Sequence, residues 1–115
     1  MSVQMEGTAF DRETALSRVD GDVSLLKEIA VLFLGDYPRA LGELREAIAQ
    51  GDATRLERTA HGLKGSVANF GARAAVQAAL AIENMARAQK IAGVGPLLDQ
   101  LEQALAALRP ELERL

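Results

Sequence analysis

Hydrophobic residues recur along most of the chain with the three-to-four-residue spacing of helices that bury one face. The most regular stripe lies between Gly51 and Gly71 and consists of Leu56, Ala60, Leu63, Val67 and Phe70. At about 100° per residue, these side chains fall within roughly 40° of one line on a helix. Asp52 is the predicted N-cap, and Gly71 follows the last apolar position. The stripe therefore predicts a helix with one buried face.

Two further helices are predicted before this one. Asp11 is the N-cap of a short helix that runs to about Val19 and ends at the Asp20-Gly21 turn. Asp22 is the N-cap of a longer helix, whose predicted apolar face consists of Leu25, Leu26, Ile29, Leu32 and Phe33. Proline lacks a backbone donor, so at Pro38 this helix either kinks or gives way to a new one. The apolar pattern then continues to Gly51 through Leu41, Leu44, Ala47 and Ile48.

Two helices are predicted after Gly71. The first runs from about Ala72 to Lys90, with Val76, Ala79 and Leu80 facing inward. The second follows a loop at Gly93 to Gly95 and begins near Pro96. Its leucine-rich face consists of Leu97, Leu98, Leu101, Leu105, Leu108 and Leu112.

Short connections favour antiparallel neighbours, so the expected fold class is all-α. We predict an antiparallel up-and-down four-helix bundle with an additional short N-terminal helix. Residues 1–9 are predicted to form a tail or lead-in, and residues 10–115 a single domain. A chain of 115 residues has the size of one domain.

Composition supports helices and excludes several classes of site. Hydrophobic residues make up 49% of the chain and aromatic residues only 3%, so the core is built mainly from leucine and alanine, both strong helix formers. With no cysteine and one histidine, the chain lacks the side chains for a disulfide framework or a typical zinc or haem centre. We therefore expect no metal and no cofactor on this chain.

Charge and hydropathy exclude other classes of partner. A net charge of −3 gives no basic field for nucleic acid. The longest apolar run, Ile29 to Leu34, is far shorter than the roughly 20 residues that span a bilayer. The N-terminus, Met1 to Gly7, lacks the basic start and apolar core of a secretory signal. We expect a cytoplasmic monomer that binds neither nucleic acid nor a membrane.

The only histidine, His61, lies about 140° from the buried stripe and is predicted to face water. Histidine has an ordinary pKa of about 6.5, so an exposed imidazole is mostly neutral and nucleophilic near pH 7. Lys64, one turn further on, can reach an anion attached to His61, and a phosphoryl group best suits this pair. Gly65 and Ala68 leave space beside the imidazole. The pattern therefore predicts a nucleophile that is open to a large partner.

Glycine inside a helix costs roughly 0.8–1 kcal/mol relative to alanine, so Gly62 and Gly65 need an explanation. Access for a partner explains Gly65, whereas access and close helix packing explain Gly62 equally well.

The charge of the segment 52–73 differs from that of the whole chain: the segment carries four basic side chains (Arg55, Arg58, Lys64, Arg73) and two acidic ones (Asp52, Glu57). This excess either attracts an acidic surface or is an ordinary set of solvated helix charges.

The segment His61-Gly62-Leu63-Lys64-Gly65-Ser66, followed by Asn69-Phe70-Gly71-Ala72, resembles the central motif of histidine-containing phosphotransfer (HPt) domains of bacterial multistep phosphorelays. The likeness extends to Phe10-Asp11, the helix from Leu25 to Leu34, the Gly51-Asp52 turn and Leu80-Ala-Ile-Glu83. The resemblance covers the chain from about residue 8 to its end.

The resemblance implies that His61 accepts a phosphoryl group from the aspartyl phosphate of one receiver domain and passes it to an aspartate of another. It assigns Lys64 to the phosphoryl group and Gly65 to receiver access. The docking surface is expected to include Glu57, Arg58, Ala68 and Asn69. The receiver would supply Mg²⁺, which makes this chain a phosphoryl carrier and not an enzyme. Expected partners are response-regulator receiver domains and a hybrid sensor histidine kinase, all on other polypeptides.

Two alternatives remain open from the residues. One is a helical adaptor that binds a receiver or kinase domain without being phosphorylated. The other is a small hydrolase with His61 as general base, for which Glu57 is the only carboxylate at helical spacing and no serine or cysteine nucleophile is evident. We expect Glu57 to be a solvated neighbour. Phe33, Leu34 and Tyr37 are expected in the core, with an apolar docking patch beside the His61 helix as the alternative.

Overall fold

The computed structural model describes residues 8–115, and these residues form five α-helices. They are α1 (Arg12–Ser17), α2 (Val23–Gln50), α3 (Ala53–Ala68), α4 (Arg73–Arg87) and α5 (Gly95–Glu113), with a 3₁₀ turn at Ile91–Gly93. α3 packs between α2 and α4, and α5 closes the ring by contacting both of those helices. The fold is the predicted antiparallel four-helix bundle with an extra N-terminal helix. Most of the predicted tail, residues 1–9, lies outside the described residues.

Three predicted N-caps are confirmed. Asp11, Asp22 and Asp52 each accept a hydrogen bond from the backbone N–H three residues further on, at 3.1–3.3 Å. At the other end of α2, Gly51 adopts the left-handed conformation with a φ of 67°. These caps fix the turn that leads into α3, the helix that carries His61.

Gly71 ties α1 to the turn between α3 and α4. Its φ is +60°, and a Cβ at this position would lie 2.6 Å from the Cβ of Asp11. The backbone N–H of Asp11 donates to the carbonyl of Phe70 at 3.0 Å. Only glycine suits both the left-handed backbone and this close approach. α1 is therefore held against the C-terminal end of α3.

Burial confirms the predicted stripe on α3 and corrects the one on α2. All five stripe residues of α3 and its following turn, from Leu56 to Phe70, are buried. On α2, Leu26 and Phe33 are buried and Ile29 is half-buried, but Leu25 and Leu32 are 41% and 67% exposed. The prediction is wrong for these two residues because each precedes a core residue by one position, about 100° around the helix.

α2 is a single helix of 28 residues that continues through Pro38. Phe33 lies before the proline and Leu41 and Leu44 after it, and all three are buried in the same core. Pro38 lies on the exposed side of the helix, and its missing N–H removes one backbone hydrogen bond there. Packing on both sides of Pro38 therefore keeps the helix continuous.

The last two bundle helices follow their predicted patterns with one correction. On α5, Leu98, Leu101, Leu105, Leu108 and Leu112 are buried, and Leu97 is half-buried. On α4, Ala79 is buried as predicted, whereas Val76 and Leu80 are only half-buried. Alanines and Ile82 form the buried line of α4 instead. Within residues 8–115, no helix is long and apolar enough to cross a membrane.

Phe33 belongs to the core, as expected. It is 7% exposed, stacks on Tyr37 with ring centroids 5.3 Å apart, and meets Phe70 at 5.4 Å. Leu34 and Tyr37 are half-buried and pack against the same core. Tyr37 also lines a groove between α2 and α3, so its ring borders the helix that carries His61.

Candidate functional site

His61 is on the outer face of α3, and its side chain is 67% exposed. This exposure confirms the orientation predicted from the helical period. The imidazole borders an open cavity between α3 and α4 that is also lined by Thr54, Glu57, Arg58, Glu83 and Arg87. A reacting group on another molecule can therefore reach the ring from solvent.

A buried carboxylate on α4 holds the inner edge of the imidazole. Oε2 of Glu83 lies 2.8 Å from Nδ1 of His61, and the Glu83 side chain is only 3% exposed. A charged side chain is seldom buried to this extent unless it has partners. Glu83 is the one buried charged residue among residues 8–115.

Small residues on α4 make this contact possible. Ala75, Ala79 and Ala86 are each no more than 1% exposed where α4 packs in the bundle. The distance between packed helices depends on the side chains at the contact, and alanine permits a close approach. A glutamate on α4 can then reach across to a histidine on the outer face of α3.

Glu83 also determines which nitrogen of His61 carries the proton. The Lys64 ammonium has the largest effect on the pKa of Glu83 and lowers it; burial raises the pKa, and the hydrogen bond with His61 lowers it further. The net result is a pKa below the ordinary value of 4.5, so the carboxylate is ionised near neutral pH and can only accept. Nδ1 of neutral His61 must therefore be the donor, which leaves the lone pair on Nε2, the outer nitrogen.

Lys64 contacts the same carboxylate as His61. Its Nζ lies 2.8 Å from Oε1 of Glu83, and the lysine side chain is 26% exposed. Oε1 has no hydrogen bond of standard geometry among the described residues, so this contact is mainly a charge interaction. The ammonium is a compact charge on a flexible stem, so it can turn outward toward a second anion when one arrives.

Arg87 connects Glu83 to Glu57. Its Nη2 donates to Oε2 of Glu83 at 2.9 Å, and its Nε donates to Oε2 of Glu57 at the same distance. The Glu57 carboxylate is thus part of an ion pair beside the cavity, and it makes no hydrogen bond to the imidazole. Glu57 is the only carboxylate at helical spacing from His61, but in the folded protein Glu83 of α4 orients the ring instead.

Both glycines of the motif face open space. A Cβ at Gly65 would meet no atom within 4 Å, and the same is true of Gly62. Close helix packing, one of the two explanations considered for Gly62, is therefore wrong. The absence of these side chains leaves room at the surface without filling any internal contact.

The remaining predicted site residues are spread along α3. Arg58 lines the His61 cavity and has no salt bridge among residues 8–115, whereas Arg55 pairs with Glu46 at 2.7 Å. Asn69 is the exposed C-cap. Ala68 is half-buried and lines a different cavity, beside α1. Within the described part of the chain, no three His, Asp or Glu side chains are close enough together to hold a metal ion.

Glu83 is the functional residue that the sequence analysis did not assign. A signal for it exists: it stands on the alanine-rich face of α4, four residues after Ala79 and one after Ile82, both of which are buried. A lone acidic residue at such a position must find cationic or hydrogen-bonding partners. The identity of those partners depends on the packing of α3 against α4, which no local pattern specifies.

Comparison with known proteins gives consistent matches. The model of the Hpt domain family matches residues 28–111. The virulence sensor protein BvgS is 29% identical over 106 residues in Bordetella pertussis and 30% identical over 105 residues in Bordetella parapertussis. These alignments cover 92% and 91% of this chain, which spans only 8% of the length of either sensor protein.

Two solved structures share the fold. The crystal structure of histidine-containing phosphotransfer protein B (HptB) from Pseudomonas aeruginosa PAO1 has a TM-score of 0.85 and 25% identity, and the match covers 92% of each chain. The HPT domain of a sensor hybrid histidine kinase from Shewanella has a TM-score of 0.80 and 18% identity, again over 92% of each chain. The second likeness concerns the fold alone.

Proposed function

Because this chain belongs to the Hpt domain family, whose role is phosphotransfer in phosphorelays, we propose that it is a carrier that uses His61 as phosphoacceptor. In this proposal, His61 accepts a phosphoryl group from the aspartyl phosphate of one receiver domain and transfers it to an aspartate of another. One observation carries the assignment: Nδ1 is held by a buried carboxylate, while the ring is 67% exposed. This arrangement directs the nucleophilic nitrogen, Nε2, to solvent.

The proposed step forms one bond and breaks one. The Nε2 lone pair attacks phosphorus, the N–P bond forms, and the bond between phosphorus and the donor carboxylate oxygen breaks. The donor aspartate leaves as a carboxylate, and the proton on Nδ1 stays in place. The ring then carries positive charge, which the Glu83 carboxylate stabilises from 2.8 Å away. In the second transfer, a carboxylate oxygen of the acceptor attacks phosphorus and the N–P bond breaks.

Lys64 and the receiver stabilise the transferred group. Phosphoryl transfer depends chiefly on in-line positioning and on charge stabilisation. We infer that the Lys64 ammonium turns from Glu83 toward the phosphoryl oxygens, while Arg87 remains at Glu83 and keeps that carboxylate paired. The receiver brings its Mg²⁺ and approaches over Gly65, with Glu57, Arg58, Ala68 and Asn69 at the edges of the docking surface.

The proposed transfer requires two kinds of partner, a phosphoryl donor and a phosphoryl acceptor. A carrier needs a donor and an acceptor for each cycle, so we propose response-regulator receivers and a hybrid sensor histidine kinase as partners, in the cytoplasm. The names of the relatives support the kinase, since the BvgS proteins are sensor proteins. The transferred group leaves on another protein, so the chain acts as a carrier and not as an enzyme with its own turnover.

A direct transfer assay tests the proposal. Each receiver domain of the source organism is first prepared with a radiolabelled phosphoryl group on its aspartate. It is then mixed with the chain in the presence of Mg²⁺. We expect label on this chain that is lost in acid and stable in alkali, and no label on a folded His61→Gln variant. Binding to a receiver without labelling would favour the adaptor and contradict the carrier, and labelling of the variant would contradict the assignment of His61.

A further inference from the structure

An apolar patch on α2 has no role in the phosphotransfer site. Val31 and Leu32 are 68% and 67% exposed, which is unusual for adjacent residues of their size. They line an open, mainly apolar groove with Lys27 and Glu28. The patch includes no residue of α3 or α4. Exposed apolar surface that is continuous and bordered by charge is typical of an interaction site.

One acidic and one basic side chain bracket this patch on the same face of α2. Glu28 and Arg39 are eleven residues apart, which places them about 20° apart around the helix and about 16 Å apart along it. Neither residue has a salt bridge among residues 8–115, whereas Arg45 of the same helix is paired with Glu102. Val31, Leu32 and Gly35 lie between these two unpaired charges, and the exposed Asp36 lies about 40° around the helix from Leu32.

We propose that two copies of this chain associate through α2 as an antiparallel pair. A twofold axis that passes level with the Phe33–Leu34 peptide places Glu28 of each copy opposite Arg39 of the other. Both ion pairs form at once. In an antiparallel pair, two residues face each other when their numbers add up to the same total, so Glu28 faces Arg39 of the other copy and Arg39 faces Glu28. Leu32 of each copy then lies opposite Gly35 of the other between the two charge pairs, and Val31 lies level with Asp36 of the other copy. This is an isologous interface, made from the same surface on each copy.

Gly35 allows the two helices to approach. A Cβ at this position would meet no atom within 4 Å, so the glycine fills no need inside the bundle. Under the proposed twofold axis, Gly35 lies opposite Leu32 of the other copy. The missing side chain provides the space into which that leucine packs. A helical glycine that costs stability in the monomer therefore has a use in the pair.

Self-complementarity favours a second copy over other occupants. An apolar helix from a different protein would cover Val31 and Leu32 but would need its own acid and base at a matching separation. A second copy supplies both by symmetry. The surface is small, so we expect weak association, with a dissociation constant on the order of 0.1–1 mM. This proposal departs from the monomer expected from the sequence.

Charge reversal tests the pairing by sedimentation velocity over concentrations up to about 1 mM. In Glu28→Arg, two arginines face each other at each end of the interface, and in Arg39→Glu two glutamates do. Each single variant is expected to associate at least about tenfold more weakly than the unmodified chain. An equimolar mixture of the two variants restores both opposite-charge pairs, so heterodimers are expected to form with an affinity close to that of the original pair.

Controls separate this interface from other effects. Asp99→Arg reverses an exposed charge on α5, outside the patch, and is expected to leave association unchanged. Circular dichroism checks that every variant is folded, and the rate of labelling by a phosphorylated receiver is expected to be unchanged in the Glu28 and Arg39 variants. A chain that stays monomeric up to about 1 mM would overturn the proposal. Equal association of the single variants and of their mixture would also overturn it. A Leu32→Ser variant that slows labelling without changing association would overturn it too, because the patch would then be a receiver site.

Discussion

Glu83 Oε2 and His61 Nδ1 lie 2.8 Å apart across the packed surface of α4 and α3. One of these side chains is 3% exposed and the other 67%, so the contact joins the interior of the bundle to its reactive surface. The carboxylate holds the ring and selects the proton position, and in the proposed transfer it faces the positive charge that phosphorylation creates. We therefore expect the reactivity of His61 to depend on Glu83, a buried residue of the neighbouring helix.

Removing the charge of Glu83 should slow phosphotransfer. Glu83→Gln can still accept a hydrogen bond from Nδ1 but cannot compensate the charged ring, and Glu83→Ala loses both functions. We expect the labelling rate to fall about 10- to 100-fold in Glu83→Gln and further in Glu83→Ala. Nitrogen-15 NMR of the histidine ring should show proton occupancy shifting from Nδ1 toward Nε2 in the alanine variant.

Glu102→Gln is the matched control for the Glu83 variants. It removes a carboxylate from another interhelical ion pair, the one with Arg45, at a surface away from His61. The control should leave both the ring spectrum and the labelling rate unchanged. If Glu83→Ala keeps the original tautomer and rate, Glu83 has a purely structural role.

Lys64 should matter more for transfer than for folding. In Lys64→Ala the phosphoryl group loses its cation, whereas Glu83 keeps its contacts with Arg87 and His61. We expect labelling to slow by at least about tenfold and the free energy of unfolding to fall by only about 1–3 kcal/mol. Lys64→Arg should recover part of the rate. Lys90→Ala, an exposed lysine after α4, serves as control, and a normal rate in Lys64→Ala would remove this residue from the mechanism.

Substitutions of Gly65 should separate stability from access. A Cβ there meets nothing within 4 Å, so Gly65→Ala should raise the free energy of unfolding by about 0.8–1 kcal/mol through helix propensity. Gly65→Leu should keep the fold but slow labelling about tenfold or more, because its side chain occupies the approach to His61. The same substitutions at Gly42, an open helical glycine on α2, should affect stability alone. Equal rates for Gly65→Leu and Gly42→Leu would refute the access role.

Acid should destabilise the bundle through Glu83. Its pKa in the folded protein is below the ordinary value of 4.5, so the unfolded chain takes up the proton first as the pH falls. The stabilising contribution of Glu83 is complete at pH values above the ordinary pKa of 4.5. It is lost as the pH falls toward the lower pKa of the folded state. Urea unfolding between about pH 6 and pH 3 should show a flatter dependence in Glu83→Gln than in the unmodified chain. The pKa of Asp11 is also lowered, by hydrogen bonds from Thr14, but Asp11 is present in both proteins and cancels in the comparison. Identical curves would contradict the assigned pKa direction.

Sequence patterns specify the fold where several local signals agree. α3 is predicted well because an aspartate cap, a five-residue apolar stripe and a terminal glycine all indicate the same helix. On α2, the five apolar residues assigned to one face spread over about 120°. Such a wide stripe does not reveal which edge is covered, and Leu25 and Leu32 lie on the uncovered edge. The continuity of α2 through Pro38 likewise depends on packing and not on local propensity.

The exposed positions of the candidate site on α3 could be predicted from the sequence, but the buried glutamate on α4 that contacts His61 could not. Helical spacing placed His61, Lys64 and Gly65 on the outer side of α3 because all three belong to one helix. Glu83 is 22 residues from His61 in sequence, and their contact exists because alanines let α4 approach α3. The pairing of Arg87 with Glu57 has the same origin. Contacts between helices depend on packing distance, which a single helical pattern does not contain.

The most direct test of the account is the identity of the phosphorylated nitrogen. The chain contains one histidine, so nitrogen-15 labelling of histidine gives a spectrum that needs no further assignment. After reaction with a phosphorylated receiver and Mg²⁺, we expect phosphorus-coupled NMR signals from Nε2 of His61, with the proton remaining on Nδ1. Phosphorylation at Nδ1, or on any residue other than His61, would contradict the geometry on which the proposed function rests.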